Sequence, residues 1–240
     1  MKFLTFKIIN SQIKDIIQNF LTYVTIALPV IIYYPIEVYF FYDYDVSTFQ
    51  YLISFILNLL ISAIIIVNIH RFVILKESNN FYNFNNSKLF LNYFLFGIFL
   101  LIFALAPSIL TIYLTEIFID LARDDYFTSL IGFIAWSVFL VICVIISLIF
   151  IMMIYPFFAF ALPKIAIGEK FRIADIWRET KGYRITILLQ IIIIFGPIML
   201  IQILFDDTIN KYIEIFMYLP SEILAISCLS KTYLLRYENS

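Results

Sequence analysis

The chain has 240 residues, of which 63% are hydrophobic and 14% are charged, and its mean hydropathy is +0.99. A water-soluble core cannot bury so large an apolar share, and Gly and Pro are few, so the composition excludes a soluble globular protein and a disordered chain. The formal net charge of -1 becomes informative only when it is divided among the loops. We therefore interpret residues 1–240 as a single integral membrane domain.

The N-terminal segment is amphipathic and precedes the first long apolar stretch. Apolar residues recur at helical spacing at Ile9, Ile13, Ile16 and Phe20, and polar residues occupy the other face. Two placements remain open, a helix lying along the inner membrane surface or a straight extension of the first span. The apolar stretch that follows is too long for a cleaved signal peptide, so we expect it to be retained.

Six stretches are long and apolar enough to cross a bilayer, because about 20 residues at a rise of 1.5 Å cover the hydrocarbon layer. They are 20–41, 49–69, 89–114, 127–155, 185–205 and 212–230. Unpaired backbone groups are costly in hydrocarbon, so we expect helices. The predicted fold class is all-α, a polytopic membrane helix bundle of about six transmembrane helices with interfacial amphipathic linkers.

The basic residues fix an orientation for these spans. All sixteen Lys and Arg except Arg123 and Lys211 lie in alternate gaps or at the two ends of the chain. By the positive-inside rule, both termini and the basic gaps are predicted to be cytoplasmic.

Three stretches at the predicted inner face resemble one another. Residues 70–77, 163–170 and 230–236 each place a cation at the interface beside a short apolar run. One hypothesis is a unit of two helices and a linker that is used three times. The alternative is chance resemblance, since any inner interface favours Lys and Arg.

The linker over residues 170–184 is the clearest local element. Ile173, Ile176, Trp177 and Thr180 share one helical face, and Gly182 is placed to end the helix. An indole is favoured at headgroup depth, and nearby cations attract anionic lipid. The candidate lipid contacts are Lys164, Lys170, Arg172, Trp177, Arg178, Lys181 and Arg184. The alternative is a solvated linker that only enforces topology.

Two blocks in this region carry a family resemblance. The segments ALPKIAIGE at 161–169 and ADIWRETKG at 174–182 resemble a block of uncharacterised six-span membrane proteins from alphaproteobacteria. They are also similar to the membrane domain that accompanies some glycerophosphodiester phosphodiesterases, and residues 71–77 form a weaker second block. The resemblance implies an integral membrane protein of a bacterial inner membrane with no assigned chemistry. We expect no phosphodiesterase domain here, so the activity of that domain is not expected to carry over.

Residues suited to catalysis or metal binding are scarce. The chain has one His, His70, and its two Cys, Cys143 and Cys228, have no partner at ligand spacing. The five glycines lie too far apart for a phosphate-cradling loop. We therefore predict no catalytic residue, metal or cofactor, and no enzymatic activity.

Glu222 is the main candidate for an intramembrane polar site, because it falls within the sixth predicted span. An ionised carboxylate at that depth is costly, so the group should be protonated or paired. Asn58 lies at an inferred membrane depth similar to that of Glu222, whereas the inferred depths of Gln190 and Gln202 differ more from it. The alternative is that Pro220 begins a helical piece and Glu222 lies in its first turn, where the helix dipole favours it.

Two further titratable side chains are interpreted as structural groups and not as functional sites. His70 beside Arg71 is interpreted as the polar end of the second span, with a proton relay as the alternative. Glu37 follows Pro35 among several tyrosines and is interpreted as a hydrated carboxylate in an aromatic belt, with a ligand site as the alternative.

These observations predict a non-enzymatic scaffold, a lipid-associated factor or a subunit of a larger membrane assembly. The expected partners are membrane lipids, other membrane proteins or further copies of this chain, and not nucleic acid. The alternative function is a small transporter or channel in which Glu222 and the helix prolines Pro107 and Pro197 line the path.

Overall fold

The computed structural model describes residues 2–41, 47–77, 87–122, 137–139, 141–142, 156, 158–204 and 217–238. Within these ranges the regular secondary structure is helical and contains no β-strand, which confirms the all-α prediction there. The helices are α1 (Lys2–Gln18), α2 (Phe20–Phe41), α3 (Thr48–Leu75), α4 (Ser87–Ala122), α5 (Ala161–Ile167), α6 (Ile173–Thr180), α7 (Arg184–Leu204) and α8 (Leu219–Glu238). Most of the fourth predicted span, 127–155, lies outside the described residues.

Three described helices are long and apolar enough to cross a membrane. The qualifying segments are Phe20–Glu37 of α2, the whole of α3, and Arg184–Ile201 of α7, which correspond to the first, second and fifth predicted spans. At most a third of each segment is buried by protein, so large apolar side chains are left on the outside, as expected where lipid replaces water. The helices therefore support membrane association, with three spans in the described residues and not the predicted six.

Helix α3 is capped at both ends. The Ser47 side chain accepts a hydrogen bond from the Gln50 N–H, and the Gln50 side chain accepts one from the Ser47 N–H, which completes a capping box. At the other end the N–H of Lys76 donates to the Phe72 carbonyl, with Lys76 in the left-handed conformation at φ 57°. The first half of α3 is mostly exposed, whereas the four consecutive residues 67–70 are all buried. The second half of α3 is therefore enclosed by other helices.

Helix α8 lies at the centre of the packing and contacts α1, α3, α5 and α7. Its Ile226 packs with Ile26 of α2 and Ile69 of α3, and its Cys228 packs with Ile8 of α1. Helix α8 extends to Glu238, eight residues past the end of the predicted span 212–230, whereas residues 212–216 of that span lie outside the described residues. The buried hydroxyls of Ser230 and Thr232 donate to carbonyls one turn earlier in α8, which removes much of the cost of burying them.

Helix α1 packs mainly against α7 and α8, with Asn19 between α1 and α2. The face predicted to be uniformly apolar is divided, since Ile9 is buried whereas Ile13 and Phe20 are exposed. One apolar edge of α1 therefore enters the protein core and another remains on the surface beside the polar face.

The chain divides into two compact units, Met1–Leu95 with Pro156–Ser240, and Phe96–Tyr155. In the second unit the rings of Phe96 and Phe99 lie 6.0 Å apart, and Ile102 is exposed. The residues that bear on function lie in the first unit.

Candidate functional site

The three predicted inner-face stretches meet at one end of the first unit, which we call the basic end. The basic end consists of α1, the last turns of α3 and α8, α5, α6 and the start of α7. Arg71, near the end of α3, donates from Nη1 to the Ala166 carbonyl of α5, at 3.3 Å. The Tyr233 hydroxyl of α8 donates to Glu169 Oε2 at 2.9 Å. Stretches that are far apart in sequence therefore contact one another directly.

A buried ion cluster holds α6 to this end. The Lys164 ammonium lies 2.9 Å from both carboxylate oxygens of Glu179, and Arg236 Nη1 lies 2.6 Å from Glu179 Oε2. The side chains of Lys164 and Glu179 are only 7% and 12% exposed, and that of Arg236 is 27% exposed. The sequence predicts a lipid contact for Lys164, but its ammonium faces inward and is paired with Glu179, so Lys164 is not one of the accessible cations.

Helix α6 divides its predicted apolar face between the protein and the surface. Ile176 and Thr180 are fully buried, whereas Ile173 is 59% exposed and Trp177 is 46% exposed. The guanidinium of Arg184 lies 4.2 Å from the centre of the Trp177 ring, and its Nη2 donates to the Trp177 carbonyl at 3.0 Å. This cation–π contact fixes the indole on the surface with a positive charge beside it.

The other predicted lipid-contact cations of this region lie on the surface. Lys170, Arg172 and Lys181 are exposed. Arg178 is also exposed, and its Nη2 lies 2.8 Å from Asp175 Oδ1. Charge available to an anionic partner is therefore concentrated at the two ends of α6.

The intramembrane candidates are not brought together around Glu222. Glu222 lies in the first turn of α8, as the alternative interpretation expected, and no hydrogen bond joins it to another described candidate. The Asn58 amide instead donates to the Glu37 carboxylate. Ser54 Oγ also donates to Glu37 Oε1, at 2.6 Å, so this carboxylate joins α2 to α3.

Two buried polar contacts attach α8 to its neighbours. Gln190 Nε2 donates to Thr232 Oγ1 at 3.0 Å, which links α7 to α8. His70 Nδ1 lies 2.7 Å from Ser230 Oγ, and the Ser230 hydroxyl donates to a carbonyl of its own helix, so His70 donates to Ser230. The side chain of Gln202 lies outside the described residues. Gln190 and His70 are thus packing contacts between helices.

A pocket that the sequence did not indicate also lies at the basic end. Lys7 and Lys14 of α1, Lys76 after α3 and Lys231 of α8 all line it. The sequence placed each of these cations at the inner interface, but only the packing of α1 against α8 brings them together. Among the described residues no cluster of His, Cys, Asp and Glu is arranged to hold a metal ion.

Comparisons of the chain with protein-family models, with curated proteins and with solved structures gave no match.

Proposed function

We propose that this chain is a non-enzymatic integral membrane protein that associates with anionic lipid at the inner face of a bacterial membrane, as a lipid-bound scaffold or assembly subunit. The observation that supports the proposal most directly is the surface of α6, where Trp177 and Ile173 are exposed and the Arg184 guanidinium lies over the Trp177 ring. An exposed indole and an aliphatic side chain next to cations are the groups that partition into a headgroup layer.

The attachment of α6 supports the same proposal. Ile176 and Thr180 face the protein, and Glu179 is paired with Lys164 and Arg236. A surface that is already ordered loses little conformational entropy when it binds, so a short helix can contribute measurable affinity.

The exposed cations add a long-range attraction to the apolar contacts. Lys170, Arg172 and Lys181 are near the ends of the helix, and each basic residue close to an anionic surface contributes about 1 kcal/mol. This contribution should fall with salt, whereas the contribution of Trp177 and Ile173 should not.

The depth of Trp177 can be measured directly. The chain has two tryptophans, so Trp136→Phe leaves Trp177 as the sole indole fluorophore. In vesicles that contain phosphatidylglycerol, we expect lipids brominated near the headgroup to quench Trp177 more strongly than lipids brominated near the chain ends. Stronger quenching of Trp177 by the lipids brominated near the chain ends, or no quenching by either lipid, would contradict the proposal.

The role of charge is tested by combining Lys170→Gln, Arg172→Gln and Lys181→Gln. We expect the triple variant to copurify with less anionic lipid, as measured by mass spectrometry of extracted lipid. The matched control is Arg178→Gln, which removes one cation from the same helix, but one that is paired with Asp175. Equal lipid content in the wild type and the triple variant would count against the proposal.

The transport alternative predicts a different result. Under our proposal, Glu222→Gln leaves proton flux and solute uptake unchanged in reconstituted vesicles. A loss of flux in this variant would favour transport.

A further inference from the structure

A pocket of about 470 Å³ opens between α1 and the last turns of α3 and α8. We call it the lysine pocket, after Lys7, Lys14, Lys76 and Lys231 in its wall. Lys7 and Lys14 are separated by two helical turns and therefore lie on the same side of α1. The volume is within the range of small-molecule sites in proteins.

The lysine pocket has an excess of positive charge. The acidic residue in its wall is Asp15, whose carboxylate accepts hydrogen bonds from the Tyr23 hydroxyl at 2.9 Å and from the Asn19 amide at 3.2 Å. Lys7 and Lys14 have no ion pair with a described carboxylate. Like charges gathered in a concave surface concentrate the field and attract an anion.

Gln12 supplies a second, independent indication of a ligand. It is 4% exposed and lines the pocket, and its Oε1 accepts no hydrogen bond from the described residues. A buried acceptor without a partner is destabilising, so such groups are rare unless something else supplies the donor. An amide oxygen accepts and cannot donate, so the missing group carries an O–H or N–H.

We propose that the lysine pocket binds a phosphate ester that carries a free hydroxyl, of the glycerol phosphate type. The lysine ammonium groups hold the phosphate oxygens, and the ligand hydroxyl donates to Gln12 Oε1. This site goes beyond the proposed function, which concerns the surface of α6.

Two sources could present this chemistry, a phosphatidylglycerol headgroup and soluble glycerol phosphate. The exposed apolar edge of α1 favours the lipid, because Phe6, Ile13 and Ile17 lie beside the lysine face of the helix. Acyl chains could cover these side chains while the headgroup enters the pocket.

The test uses the full chain in a neutral detergent, stripped of copurified lipid. In one arm phosphatidylglycerol or phosphatidylcholine is added, and in the other sodium glycerol 3-phosphate or inorganic phosphate. Binding is measured by native mass spectrometry for the lipids and by the shift in Tm for all four probes. We expect a phosphatidylglycerol adduct and a rise in Tm that phosphatidylcholine does not produce.

The variant Lys14→Gln with Lys76→Gln removes two cations that face the pocket. We expect it to weaken phosphatidylglycerol binding by about thirtyfold. The control is the triple variant of Lys170, Arg172 and Lys181, which should retain the pocket adduct even where it loses lipid from α6. The two variants thus separate failure of this proposal from failure of the proposed function.

Gln12→Leu tests the hydroxyl contact without removing charge. We expect it to lower affinity for phosphatidylglycerol to that for phosphatidic acid, which lacks the second glycerol. The Tm of the lipid-free variant should not fall, because leucine replaces an acceptor that lacks a donor. An unchanged preference between the two lipids would overturn the role of Gln12.

Binding of phosphatidylglycerol that the Lys14 and Lys76 substitutions weaken supports a headgroup site, and an equally sensitive response to glycerol 3-phosphate alone supports a soluble ligand in the same pocket. Wild-type affinity in the double variant, or no binding of any phosphate probe, overturns the proposal.

Discussion

The buried ion cluster at the basic end predicts that Glu179→Gln is strongly destabilising. The Glu179 carboxylate lies between Lys164 and Arg236, and its side chain is 12% exposed. Replacing it with a neutral amide removes the negative charge that both cations contact. Removing one partner of a buried pair costs about 3 to 5 kcal/mol, and the partial exposure of Arg236 places the expected loss near the lower end, about 3 kcal/mol.

Thermal denaturation of the detergent-solubilised protein, followed by circular dichroism, measures this loss. For a chain of this size about 3 kcal/mol corresponds to a decrease in Tm of about 6 to 12 °C. Lys164→Met should be milder, at about 1 to 2 kcal/mol, because it removes the most buried cation and leaves Glu179 paired with Arg236.

The matched control is Arg178→Gln, which breaks an exposed ion pair on the same helix. Exposed pairs contribute little, so we expect a change of less than about 0.5 kcal/mol. The reasoning is refuted if Glu179→Gln and Arg178→Gln lower Tm equally, since the burial of the cluster would then have no energetic consequence.

The same denaturation assay tests three further expectations. Gly168→Ala should cost about 1 kcal/mol, because Gly168 ends α5 at φ 79°, where a Cβ is strained; an unchanged Tm would contradict that conformation. Gln190→Leu alone should cost about 1 kcal/mol, and adding Thr232→Val should cost less than the separate losses predict, because the two groups bond to each other; strict additivity would exclude this coupling. Ile176→Ala should cost about 2 to 4 kcal/mol and Ile173→Ala less than about 0.5 kcal/mol, since the first is fully buried and the second is exposed; equal losses would show that α6 packs differently.

The helices of this protein follow closely from local sequence. The first predicted span, 20–41, coincides with α2, and the fifth, 185–205, differs from α7 by one residue at each end. The bounds of such spans can be predicted because hydropathy and length are sums over neighbouring residues and do not depend on the rest of the chain. The bounds of the sixth span are harder to predict, because Lys231 lowers the hydropathy of a helix that the surrounding helices nevertheless bury.

The polar sites follow much less directly from local sequence. The cations near α6 can be counted, but their sequence does not distinguish Lys164, which is paired inside the protein, from Lys170, which is exposed. Asn58 was matched with Glu222 by inferred depth, yet its partner is Glu37. Depth along the membrane normal does not specify which helices are neighbours.

Composition, hydropathy and charge thus establish an all-helical chain suited to a membrane and a predicted orientation, because each depends on residues close together in sequence. Tertiary packing alone decides which polar groups lie close enough to interact. It places Glu179 between Lys164 and Arg236, and it brings α1 to the ends of α3 and α8 to form the lysine pocket. The physical reason is that electrostatic and hydrogen-bonding energies depend on distances across the bundle, which local sequence patterns do not encode.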